Sequence, residues 1–108
     1  MPKLNIKPLS VNQCWQGKRF KTPAYKAYEK QLLLMLPKIP IPPPPYEVSY
    51  FFGFSSANCD LDNPVKPLQD ILQKKYGIND RYINKMTVEK VKVAKGDEYL
   101  GFEIKTFR

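Results

Sequence analysis

The chain has 108 residues, 18 Lys plus Arg, 10 Asp plus Glu and no His, for a formal charge of +8. One domain of this length can build a core without metal or disulfide staples, and an apolar fraction of 43% describes a globule rather than a disordered tail. Without His there is no Ser-His-Asp triad, no Cys-His pair and no imidazole metal ligand, so any general acid or base is Asp, Glu, Lys, Tyr or a metal-bound water.

Residues 4–9 read as a short first strand, stopped by Pro8 and Ser10. Residues 11–21 have no clean period and carry Trp15, Gly17, Lys18, Arg19 and Lys21, which reads as a basic loop. Thr22-Pro23 then predicts an N-cap followed by Pro at the first helical position. Tyr25, Tyr28, Leu32 and Met35 recur at helical spacing as one apolar face, and Pro37 ends that helix. Residues 40–45, Pro-Ile-Pro-Pro-Pro-Pro, form a polyproline II run. It reads as a rigid connector inside the domain, with an SH3 or WW ligand as the alternative.

Residues 47–54 predict a strand with Val48, Tyr50, Phe52 and Phe54 on one face. Asn63 and Pro64 read as N-cap and first residue of a second helix that runs to about Tyr76, buries Val65, Leu68 and Leu72, and is capped by Gly77. A long strand follows over residues 82–93. Its apolar phase slips between Met86, Val88 and Val91, Val93, which predicts a β-bulge near Glu89-Lys90. After a turn at Gly96, residues 98–107 return with Leu100, Phe102 and Ile104 on one face, and the last two strands are expected to pair as a hairpin. The order β–α–β–α–β–β predicts a single α+β domain over residues 1–108: a mixed sheet of about four strands with two helices packed on it.

The charge is unevenly placed. Residues 1–45 hold eight Lys or Arg against Glu29 alone, whereas residues 46–108 hold ten against nine acids. A basic half suggests a polyanionic partner, nucleic acid being the commonest; the plainer reading is a solvated basic surface. Cys14 and Cys59 lack CxxC spacing and read as reduced thiols. Residues 1–8 have no apolar h-region, and the longest apolar run, residues 32–36, is too short to span a bilayer. A soluble, cytoplasmic protein without a membrane partner is expected.

Three acids stand in suggestive places. Asp60 and Asp62 are two residues apart in an extended stretch, so both carboxylates can point the same way, between a buried strand and a helix start where sites are commonly built. Asp80 lies on the return from that helix and comes back beside the pair if the flanking strands are neighbours. Clustered carboxylates repel one another unless a cation sits between them. Mg²⁺ prefers oxygen ligands and, in a basic protein, would stand against phosphates, which is the chemistry of a phosphodiester hydrolase. Lys66, one turn past Asp62, could stabilise phosphorane charge, with Asp70 holding it through an i,i+4 pair. Beside these stand plainer readings. Residues 60–63 also fit a capping and turn sequence, Lys66–Asp70 fits a solvated helix pair, and Tyr25 and Tyr28 fit core positions better than base stacking. A Gly-rich phosphate loop and zinc-finger spacing are absent from the sequence.

Pro8-Leu9-Ser10-Val11-Asn12, Trp15, Lys18-Arg19-Phe20-Lys21-Thr22-Pro23, Tyr25 and Tyr28 resemble the N-terminal segment of the RusA family of Holliday-junction resolvases. Asp60-Leu61-Asp62-Asn63-Pro64-Val65-Lys66, with Asp70 and Leu72, resembles its central D-x-D-N-x-x-K motif and the helix after it, and Gly77-Ile78-Asn79-Asp80 resembles its third acidic segment. The similarity runs over residues 8–107. It implies a Mg²⁺-dependent (or Mn²⁺-dependent) endonuclease that resolves four-way DNA junctions in recombination and repair, with no small-molecule substrate. It further implies a bacterial setting, often phage- or prophage-borne, and a homodimer, whose two equivalent sites match a two-fold junction.

By the same resemblance Asp60, Asp62 and Asp80 are the catalytic, metal-binding carboxylates, Lys66 is the catalytic lysine and Asp70 a supporting acid. Asn12, Trp15, Lys18, Arg19, Lys21 and Lys26 would contact DNA, with Lys30 also tracking the backbone. The chain departs from the family at Asn58-Cys59, where a basic residue or Lys-Pro is frequent. It departs again at Asn79-Asp80-Arg81-Tyr82, where Asp-Asp followed by Gln is frequent, and in its polyproline run. Without catalysis the same features describe a basic nucleic-acid-binding protein.

Overall fold

The computed structural model describes residues 3–10, 15–16, 20–56 and 60–108, with the backbone alone at 15, 16 and 20. Its strands are β1 (Lys3–Leu4), β2 (Trp15–Gln16), β3 (Phe20–Lys21), β4 (Tyr46–Phe54), β5 (Ile83–Lys92) and β6 (Tyr99–Thr106). Its helices are α1 (Pro23–Met35) and α2 (Val65–Tyr76), and a short 3-10 turn covers Asp80–Tyr82. A four-stranded mixed sheet in the order β1-β6-β4-β5 carries the two helices, and β2 pairs with β3 separately. This is the α+β architecture that the order of elements predicts. Among the described residues, no helix is long and apolar enough to cross a membrane.

The helices lie on the face of the sheet that carries its continuous row of large apolar side chains. Val48, Tyr50, Phe52 and Phe54 of β4, with Leu100 and Phe102 of β6, form one buried cluster with Tyr25, Tyr28 and Leu32 of α1 and Leu68, Ile71 and Leu72 of α2. Along β4 the rings of Tyr50, Phe52 and Phe54 follow one another at centroid spacings of 6.2 Å. On the open face the Tyr99 ring lies over Gly53, where a Cβ would come within 2.4 Å of it, and Lys3 Nζ stands 4.4 Å from the centre of the same ring.

Local signals set the helix ends. Thr22 Oγ1 accepts from Tyr25 N at 3.1 Å and Pro23 opens α1. Leu36 is already extended, ψ 124°, because a residue before proline is held out of the α region. Gly77, at φ +70°, ends α2 in the left-handed conformation that glycine adopts without steric cost. The start of α2 differs from expectation. Asn63 does not hold the cap position; Pro64 does, and its side chain makes no capping hydrogen bond. Two turns carry the chain in instead, with Asn63 N donating to Asp60 O at 3.3 Å and Val65 N to Asp62 O at 3.1 Å.

Four further expectations are corrected. The first strand has two residues, not six, because Ile6 N turns back to Leu4 O at 3.0 Å and Pro8 has no N–H for a ladder. Within the expected basic loop, Trp15–Gln16 and Phe20–Lys21 pair as an antiparallel ribbon. The last two strands do not form a hairpin: β5 runs parallel to β4 on one side and β6 antiparallel to it on the other. Strands on either side of a third lie about 10 Å apart, a gap that six extended residues span easily. The connection is tied across the end of β4 by Val93 N to Phe54 O at 2.7 Å and by Ser55 Oγ to Glu98 Oε2 at 2.7 Å. Finally, the irregularity in β5 lies at Asn84, between the partners of Tyr46 and Glu47, and not near Glu89-Lys90. Val91, paired with Gly53, simply faces the open side of the sheet.

The polyproline connector is bound along β6. Thr106 Oγ1 donates to Pro43 O and Phe107 N to Pro45 O, both at 2.8 Å, and the Pro44–Pro45 peptide bond is cis. Two carbonyls of the run are thus engaged within the fold, which favours the connector reading over a free ligand.

Candidate functional site

Asp60 and Asp62 are both exposed and lie on the turns that join the C-terminal end of β4 to α2. Their backbone carbonyls make the turns, accepting from Asn63 N and Val65 N. The turn half of the capping-and-turn reading holds for the backbone here. Their position at the N-terminal end of α2 suits negative charge, since the helix dipole is positive there.

A second group runs down α2. Lys66, Asp70 and Gln73 follow at i, i+4 and i+7, and so share one side of the helix. Lys66 Nζ is 2.9 Å from Asp70 Oδ1, and Gln73 Nε2 donates to the same oxygen at 3.4 Å. Gln73 Oε1 accepts from Asp80 N at 3.2 Å, which fastens the 3-10 turn to the helix. The hydrogen bond that Lys66 donates to Asp70, aided by the charges of Asp70 and Asp80 and opposed by burial, raises the Lys66 ammonium above its ordinary range. Beneath it Tyr50 donates to Gln69 Oε1 at 2.9 Å in the core. Burial, with Asp70 and Asp80 adding to it, pushes the Tyr50 phenol far above its ordinary value. Lys66 stays a cation and Tyr50 a neutral donor through the physiological range.

The expected residues thus fall into two sets. Asp60 and Asp62 stand before α2, and the backbone N–H of Asp80 is held by the Gln73 side chain two turns into it. Among the described residues no three His, Cys, Asp or Glu are grouped so as to hold a metal ion. Asp60, Asp62 and Asp80 do not form one cage in this arrangement. Asp60 and Asp62 are the residues that could hold Mg²⁺, which keeps several waters and is commonly bound by one or two carboxylates plus substrate phosphate.

Of the expected DNA-contacting residues, Lys26 and Lys30 are exposed on α1. Lys21 is engaged internally, 3.2 Å from Glu29 and 5.2 Å from the centre of the Tyr25 ring. Asn12, Lys18, Arg19 and the Trp15 side chain lie outside the described residues, as do Cys14 and Cys59. Tyr25 and Tyr28 are core residues, 3% and 6% exposed. Reading the sequence missed Gln73, whose signal was its i+7 spacing from Lys66, and Gln69, which gave none. A groove of about 650 Å³ between the polyproline connector and the end of β6, lined by Ile41, Pro42, Ile104 and Arg108, involves none of these acids. Compared with known proteins, the chain matches no protein-family model and no curated sequence.

Proposed function

We propose that this chain is a metal-dependent endodeoxyribonuclease that resolves four-way DNA junctions as a homodimer, the activity implied by its resemblance to the RusA family. One observation carries the reading. The Asp60–Asp62 turn presents two exposed acidic residues between a buried central strand and the start of α2. A Mg²⁺ ion held by this pair would supply an activated water and offset the charge of a scissile phosphate. Lys66, one turn further on, balances charge building on that phosphate. Asp70 positions the Lys66 ammonium, and Gln73 joins Asp70 to the backbone of Asp80. Lys26 and Lys30, exposed and one turn apart on α1, add cations for the DNA backbone.

The test uses a synthetic four-way junction, with Mg²⁺ or Mn²⁺ varied. Wild type should nick it in symmetric pairs. Asp62→Asn should abolish cutting and leave binding intact, and that binding should weaken with added salt as phosphate contacts release counterions. Wild type that binds and never cuts, or an Asn variant that cuts as well, would leave a non-catalytic nucleic-acid-binding protein.

A further inference from the structure

We infer that the outer edge of β5 is a self-association surface, on which two copies of this chain pair their β5 strands antiparallel about a two-fold axis at Thr87. The inference specifies the dimer of the functional proposal, but it stands on the strand itself and not on the nuclease reading.

β5 is ten residues long, about 33 Å of strand. It pairs with β4 along one edge, and among the described residues nothing pairs with the other. Met86 and Val91 are 40% and 51% exposed, and Lys85, Thr87 and Glu89 are exposed as well. A long open edge is a template for a further strand.

Symmetry restricts the register. In an antiparallel pair, directly opposed residues lie on the same face of the sheet, and a two-fold axis perpendicular to the sheet brings like faces together. Each residue must therefore oppose one of its own face, so the axis passes through a residue and not between two. The ladder with β4 defines the faces. Lys85, Thr87 and Glu89 are partners of Glu47, Ser49 and Phe51 on the open face, and Met86 and Val88 are partners of Val48 and Tyr50 on the helix-covered face. With the axis at Thr87, Lys85 of each copy opposes Glu89 of the other, and Met86 opposes Val88. Both charge pairs and both apolar pairs are then complementary. Axes at Met86, Val88 or Glu89 oppose no lysine to a glutamate, and an axis at Glu89 sets that residue against itself. The irregularity at Asn84 lies outside the paired segment, residues 85–89. The product is a continuous sheet with both helix layers on the same side.

Edge pairing of this length gives an interface at the low end of stable association, so the equilibrium should be visible in sedimentation velocity over a concentration series. Wild type should self-associate. Lys85→Glu and Glu89→Lys each place like charges across the axis twice and should weaken association about tenfold or more. The double variant Lys85→Glu/Glu89→Lys restores both pairs and should recover it. An equimolar mixture of the two single variants should associate more tightly than either alone, because all charges of one copy then oppose opposite charges on the other. Circular dichroism checks that these exposed substitutions leave the fold unchanged. A wild type that stays monomeric, its edge merely blunted by lysines, overturns the inference, and so do single variants that associate as tightly as wild type. Cutting is scored separately with Asp62→Asn, which leaves β5 untouched, so failure of the dimer and failure of the nuclease reading are told apart.

Discussion

Gln69 is the one polar residue in the buried set of the described chain, 9% exposed, and its Oε1 is matched by the Tyr50 hydroxyl at 2.9 Å. A buried acceptor that loses its donor bears the full cost of desolvation, whereas removing both partners is nearly neutral. Tyr50→Phe should therefore cost about 1–3 kcal/mol in denaturant unfolding, and Tyr50→Phe/Gln69→Leu should cost clearly less than the sum of the two single changes. Equal and additive losses would mean that the pair is not coupled. Glu29 poses a related problem with a charge. Burial pushes its carboxyl up, but Lys21 and Lys74, each 3.2 Å away, pull it down and prevail, leaving it below the ordinary carboxylate range. A carboxyl lowered in the folded state adds stability at pH above its unfolded pKa, and that stability is lost as pH falls through the folded value. Unfolding midpoints of wild type should thus drop on acidification, and Glu29→Gln should start lower at neutral pH and fall less steeply. Parallel curves for the two proteins would remove Glu29 from the acid response.

At the scale of elements, what could be read from the sequence was what local chemistry decides. Alternation along residues 48–54 needs only the pleat of a strand, Thr22-Pro23 needs only a helix start, and Gly77 only a left-handed cap; each holds in the structure. The partner of a strand is not a local property. Residues 93–98 are short enough for a hairpin, and consecutive strands usually pair, yet β4 offers two edges and a more continuous apolar face than either β5 or β6. It takes the centre and separates them. The candidate site divides in the same way. Lys66 and Asp70 were legible because four residues make one helical turn, and they lie 2.9 Å apart. The link from Gln73 to Asp80 depends on how residues 77–79 leave the helix, which spacing does not encode. The cap at Asn63 failed for a further reason: the carbonyls of Asp60 and Asp62 already close turns into α2, so the asparagine side chain is not needed there.

For the whole molecule the sheet order implies an uneven distribution of stability. Among the described residues, β4 is bonded on both edges over nearly its full length, β6 is bonded to β4 and, through Lys3–Leu4, to β1, and β5 is bonded on one edge. Amides that open only when the molecule unfolds should therefore cluster in β4, and opening should become easier toward both flanks. Hydrogen exchange should find β4 slowest. Within β5 it should find an alternation, since successive N–H groups point to opposite edges: those facing β4 are protected and those facing outward exchange quickly in the monomer. Raising the concentration should slow the outward-facing amides of residues 85–89 in wild type and leave them fast in Lys85→Glu. Unfolding cannot mimic this, because it would release both sets of amides together. Uniformly fast exchange along β5 at every concentration would show a strand that frays as a unit, too loosely held to present an edge to a second copy.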